Sequence, residues 1–156
     1  MGEITVRRAV AGDIDGLVAC SIGLFAEDAG TRDPTLSQRW PREHSADSFT
    51  AQLDDASKLV LVADSGGSVA GHLTGSLGEP SDIRPIRVAT LVSMFVMPQH
   101  RDAGVGGRLV AEFREWARAA GAQRLAVSAY ATNEAAIRFY RRHGFAPRTL
   151  LLECEP

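Results

Sequence analysis

Apolar and polar positions alternate over Ile4 to Arg8, which predicts a short first strand, because strand side chains point to opposite faces with period two. Gly12-Asp13 interrupts the pattern, with Asp13 set to cap a following helix. Ile14, Leu17, Val18, Ser21 and Phe25 then recur at helical spacing and predict a helix running to about Glu27. Residues 29–46, AGTRDPTLSQRWPREHSA, are polar, hold two prolines and show no periodicity. They read as a long loop with Trp40 and His44 in it, and long loops in compact domains often carry function. A short helix over about 46–56 comes next. Two β-rich runs, 59–63 and 68–74, flank Asp64-Ser65-Gly66-Gly67 and predict a hairpin. Gly78 to Pro85 reads as a second loop, carrying Glu79 and Asp82.

The stretch from Val88 to Ala120 organises the rest. An apolar strand runs into Pro98, then a glycine-bearing turn, then a helix with one apolar face made of Val105, Leu109, Val110, Phe113, Trp116, Ala117 and Ala120. Gly121 stands where a helix C-terminus favours glycine. Arg124 to Tyr130 reads as another strand, Asn133 to Arg142 as a helix stopping at Gly144, and Thr149 to Glu153 as a last strand. The order β-α-α-β-β-β-α-β-α-β predicts an α/β layer fold in a single domain over 1–156.

Composition narrows the class. A chain of 156 residues, 45% hydrophobic and 23% charged, suits one globular domain with a full core. A net charge of −2 argues against a broad nucleic-acid or membrane surface. Cys20 and Cys154 lack metal-ligand spacing, so no metal is expected, and a reduced cytoplasmic protein is the simple reading. No stretch has the length of apolar residues that a membrane span needs.

The candidate chemistry begins at the turn Arg101-Asp102-Ala103-Gly104-Val105-Gly106-Gly107. Exposed amides in a first helical turn, with the helix dipole, favour a phosphate there, although tight packing also calls for glycines. A Rossmann fingerprint is excluded by Leu109 at its sixth position, and a P-loop by the absence of a Gly-Lys-Ser/Thr run. What remains is Arg-x-x-Gly-x-Gly directly after a strand ending Phe95-Val96-Met97-Pro98, with Asn133-x6-Tyr140-x3-Gly144-Phe145 downstream.

Together these motifs resemble the GCN5-related N-acetyltransferase (GNAT) family, most specifically from about Leu91 to Phe145. The resemblance implies a GNAT-like mixed sheet of about six to seven strands with a splayed central pair, flanked by about four helices. It also implies acetyl-CoA as cosubstrate. The amides of Arg101, Asp102, Ala103, Gly104, Val105, Gly106 and Gly107 would hold its pyrophosphate, and the main chains of Phe95 and Val96 would pair with its pantetheine arm. Asp102 departs from the family habit of glycine or a basic residue; its carboxylate could cap the helix and compete with phosphate.

Seven residues turn a helix through roughly 700°, so Asn133 and Tyr140 share a face about 10 Å apart along the axis. An extended thiol-bearing arm could meet the amide at one end and the phenol at the other. Transfer from a thioester to an amine needs a neutral amine, a polarised carbonyl and a proton for the departing thiolate. The resemblance assigns that proton to Tyr140. A general base is not evident, since Ser128 and Ser93 stand where a carboxylate would serve; the nearby candidates are His72, Glu79, Asp82 and His44. Trp40 either pins its loop or walls the substrate. These features imply an N-acetyltransferase acting on a primary amine by direct attack, in a chain that could pair as a homodimer. The competing readings are a CoA-binding regulatory or partner-binding module, or the same fold with another acyl donor or a protein N-terminus as acceptor.

Overall fold

The alternating runs of the sequence find partners in one five-stranded sheet, in a computed structural model that describes residues 2–156. β1 (Ile4–Arg8), β2 (Lys58–Ser65), β3 (Ser68–Gly78) and β4 (Val88–Val96) lie antiparallel in sheet order, and β5 (Arg124–Val127) lies parallel to β4. The helices are α1 (Ile14–Thr31), α2 (Trp40–Leu53), α3 (Val105–Ala119) and α4 (Glu134–Arg142). Among the described residues the sheet has fewer strands than the family resemblance implied.

β2 explains the layering. Its alternate residues Leu59, Leu61 and Ala63 join Leu109, Phe113 and Ala117 of α3 on one face. Val60 and Val62 join Leu17 of α1 and Phe49 of α2 on the other. A strand covered on both sides therefore reads as a continuous apolar run. Each such large side chain contributes roughly 1.5–3 kcal/mol by burial. α1 reaches the sheet through Gly16 and Gly23, two turns apart on one face. A Cβ would stand 2.5 Å from Val69 Cγ2 at the first and 2.7 Å from Phe95 Cζ at the second.

Several expectations need correction. α1 runs on to Thr31, supported by the Arg32–Asp28 ion pair at 2.8 Å. α2 begins at Trp40, with Pro41 in its first turn, where a proline's missing N–H breaks no helical bond. Trp40 and His44 are thus helical residues rather than loop residues. Asp13 does not cap α1; its carboxylate accepts from Arg7 Nη1 at 2.8 Å and from the Val10 N–H at 2.8 Å. β5 stops at Val127, leaving Ser128 one residue past its end. Thr149–Glu153 forms no strand, because nothing in this chain pairs with it, and Leu150, Leu151 and Leu152 are exposed. No helix among the described residues is long and apolar enough to cross a membrane.

Candidate active site

The site begins where two strands part. β4 pairs with β5 only from Val88 to Leu91, opposite Arg124 to Val127, so the rest of β4 has no strand on that side. At the same point β4 carries a bulge. Thr74 pairs with Ser93 and Gly75 with Leu91, leaving Val92 as the extra residue.

Beyond the bulge, main-chain direction alternates. The Met97 N–H donates to the Ala70 carbonyl of β3 at 2.8 Å. The Phe95 carbonyl also faces β3, since a Cβ on Gly71 would stand 2.8 Å from it. The main chains of Met94 and Val96 therefore face the gap. The sequence places the main chains of Phe95 and Val96 there; the Phe95 main chain instead faces β3, and Met94 takes its place beside Val96. The Phe95 ring is buried against Gly23 of α1, beneath the Arg101 guanidinium 5.0 Å from its centroid.

The glycine turn lies at the end of this gap. The first backbone bond of α3 runs from the Arg108 N–H to the Gly104 carbonyl at 3.2 Å, leaving the amides of Gly104, Val105, Gly106 and Gly107 without helical partners. Gly104 has φ +81°, a left-handed conformation that favours glycine, and open space where a Cβ would point. Gly106 has a different reason: a Cβ there would stand 3.3 Å from the Phe139 ring of α4, so this glycine also serves packing. Asp102 adopts φ +60°, a region that aspartate tolerates better than most residues. Its carboxylate does not cap α3, correcting the expectation from sequence. Ala103 is exposed beside it. The Arg101 side chain is engaged elsewhere, donating from Nε to the Val96 carbonyl at 2.8 Å and from Nη2 to Glu27 at 2.7 Å. It ties the turn to β4 and α1.

α4 closes on the turn through that Phe139 contact. Asn133 is its N-cap, accepting from the Ala136 N–H at 3.2 Å, as its spacing suggested. Tyr140 packs edge-on against Phe139 at 5.3 Å and Phe145 at 5.7 Å. Its hydroxyl bonds to no other described residue, and burial pushes its pKa up to about 12. The phenol stays protonated at neutral pH.

On the other face of the sheet, α1, α2, β3 and β4 enclose a cavity of about 190 Å³. His72, Thr74 and Ser93 form part of its wall: His72 Nε2 lies 3.0 Å from Ser93 Oγ, which lies 2.6 Å from Thr74 Oγ1. Ser21 and Ser45, linked at 2.8 Å, join α1 to α2 in another part of it. His72 is 1% exposed, its Nδ1 has no partner, and burial pushes its pKa down to about 4. Trp40 lines the cavity and stacks on Phe25 at 5.5 Å, 14° from parallel. Trp40 therefore both pins α2 to α1 and forms a wall.

The remaining candidates lie elsewhere. Glu79 follows the far end of β3 and pairs with Arg87 at 3.0 Å, and exposed Asp82 sits in the same loop; neither lines the cavity. His44 is exposed on α2, tilted against Trp40 at 5.8 Å. Thr74, Ser21 and Ser45 were not singled out in sequence. The alternation placing Thr74 on the face of His72 was the one signal available for them.

The model of the acetyltransferase (GNAT) family matches residues 28–145. Over 99 residues the chain is 28% identical to an uncharacterized N-acetyltransferase, YhfO, of Bacillus subtilis (strain 168), covering 64% of this chain and 66% of that protein. In structure it is similar to a transcriptional regulator from Bacillus halodurans C-125, with TM-score 0.79 and 22% identity over 98% of this chain and 99% of that one. It is also similar to the aminoglycoside N-acetyltransferase AAC(6')-Iy in complex with CoA, with TM-score 0.78 and 16% identity over 100% and 96% of the two chains. That enzyme in complex with the bisubstrate analog CoA-S-monomethyl-acetylneamine gives TM-score 0.76 and 17% identity over 99% and 100%. At these identities the three solved structures speak to the fold.

Proposed function

The chain belongs to the acetyltransferase (GNAT) family, and from that premise we propose that it transfers an acetyl group from acetyl-CoA to a primary amine by direct attack in a ternary complex. The observation that carries this reading is the meeting of unpartnered amides at the start of α3 with the open edge of β4. The amides suit a pyrophosphate and the edge suits an extended amide-bearing arm, so the residues present fit CoA.

Acetyl-CoA supplies an electrophilic thioester carbonyl and a thiolate leaving group. Gly104 to Gly107 hold the pyrophosphate, while Met94 and Val96 orient the arm by main-chain bonds and offer an N–H to polarise the carbonyl. Tyr140 holds a proton at its hydroxyl for the sulfur as the C–S bond breaks and the C–N bond forms. The surplus proton of the amine leaves to water and restores the phenol. Release of CoA thiol across an amine panel, with mass detection of the acetylated product, tests this reading. CoA binding without thiol release on a broad panel favours the binding-module alternative, which the lack of a carboxylate in the cavity wall supports.

A second copy of the chain is the proposed protein partner. Leu150, Leu151 and Leu152 are 73%, 86% and 79% exposed, on a strand-forming segment whose own sheet ends at the uncovered edge of β5. Exchange of that segment between copies would cover both liabilities. Light scattering on the wild type and on Leu151→Asp checks it: a dimer that the variant reduces to monomer supports the exchange, and a monomeric wild type refutes it.

A further inference from the structure

The cavity between α1, α2, β3 and β4 differs in chemistry from a site built for polycations. None of the residues lining its roughly 190 Å³ carries a charge, and His72 is the only titratable side chain among them. Of the acids on α1 and α2, Glu27, Asp28 and Glu43 are each paired with an arginine, and Asp15 and Asp47 lie outside the lining. The volume falls below the roughly 300–1,000 Å³ of sites for drug-sized ligands. Leu24, Phe25, Trp40, Phe49 and Val92 supply apolar surface, with Trp40 still 40% exposed and nearly parallel to Phe25. Such a flat aromatic face accepts a ring by stacking.

From this lining, and resting on the acetyl-transfer reading, we infer that the acceptor is a small monoamine with a flat, ring-bearing body. The body lies on Trp40, and the amine sits at the neutral polar wall of His72, Thr74 and Ser93. The wall makes sense of a missing base. With no carboxylate to stabilise an ammonium, the cavity favours the amine in its neutral form, which is the form that attacks. The half-buried Ser93 hydroxyl in the same wall provides one acceptor for an N–H. A second ammonium on the same acceptor would have no carboxylate to meet, so polyamines and aminoglycosides bind poorly.

The test is thiol release by the full chain with four acceptors: 2-phenylethylamine, n-butylamine, spermidine and neamine. The expected kcat/KM for 2-phenylethylamine exceeds that for spermidine and neamine by at least about tenfold. Trp40→Ala should raise KM for 2-phenylethylamine about tenfold while barely changing that for n-butylamine, and Trp40→Phe should restore it. Equal or better turnover of spermidine or neamine overturns the inference, as does a Trp40→Ala effect shared by both monoamines. If none of the four releases thiol while a broad amine panel does, the inference fails and the acetyl-transfer reading stands; no release on the broad panel overturns both.

Discussion

Replacing Tyr140 by Phe separates catalysis from stability. The ring is held between Phe139 and Phe145, contacts that phenylalanine keeps. The hydroxyl bonds to no described residue, so its removal deletes no protein hydrogen bond and should change stability by under about 0.5 kcal/mol. For a chain of this size that is a melting shift of at most about 2 °C. If the hydroxyl donates to the departing sulfur, kcat should fall about 10²- to 10⁴-fold, equivalent to about 3–5 kcal/mol of lost transition-state stabilisation. KM for CoA should move little, since the pyrophosphate and arm contacts lie elsewhere.

The pH dependence carries its own sign. Burial raises the Tyr140 pKa from 10 to about 12, so the phenol is protonated across the neutral range and causes no loss of activity there. Because the unfolded state ionises first, its contribution to stability is complete below about pH 10 and fades toward pH 12. Steady-state kinetics between about pH 6 and 10, with thermal melts of both proteins, make the measurement. The variant profile should keep its shape and lose its height. Turnover within about twofold of wild type at every pH would refute the acid role, and a fall in melting temperature beyond about 5 °C would refute the claim that the hydroxyl is structurally idle.

His72 gives a second pH signature: its pKa falls from 6.5 to about 4 on burial, so the folded state resists its protonation and stability drops as pH falls through that window. The loss is about 3 kcal/mol, should vanish in His72→Gln, and is read by urea melts at stepped pH. Asp13, held below the usual range by Arg7, adds its own acid-induced loss only below its ordinary value of 3.8. Gly104→Val should abolish CoA binding by calorimetry at a folding cost of about 1–2 kcal/mol, since only its left-handed backbone is strained. Gly106→Val instead meets Phe139 and should lower stability as well as binding, so the two variants differ in melting temperature. Asp102→Asn keeps a side chain that tolerates φ +60° and removes a charge beside the turn. CoA affinity should rise about two- to fivefold at low salt and less at high salt.

How far the sequence revealed these features depended on how locally each was encoded. α3 was plain, because its buried stripe is Val105, Leu109, Val110, Phe113 and Ala117, all apolar at helical spacing. α2 was hidden, because the residues it buries at the same spacing are Pro41, Ser45 and Phe49. A proline in a first turn and a serine bonded to Ser21 both look like loop chemistry until the partner helix is present. The segment Thr149–Glu153 failed in the opposite way: its pattern is that of a strand, but it pairs with no strand of its own sheet, not even at the open edge of β5. The turn and Tyr140 were legible as motifs, since their chemistry lies within short runs. The cavity was not, because it draws on four elements spread from Ser21 to Ser93.

The bulge at Val92 ties these pieces together. Side chains along a strand alternate, so without an extra residue Leu91 and Ser93 would face the same way. Leu91 belongs to the core against α3, whereas Ser93 faces His72 on the opposite side. One inserted residue thus turns Ser93 into the cavity and returns Met94 toward α3, 3.9 Å from where a Cβ on Gly106 would stand. The same residue marks the place where pairing with β5 ends and the main chain of β4 becomes free. The free edge of β4 and the cavity on the α1–α2 face therefore begin at one point. The local alternation of β4 could not reveal this, because a one-residue slip in register reverses every side chain beyond it.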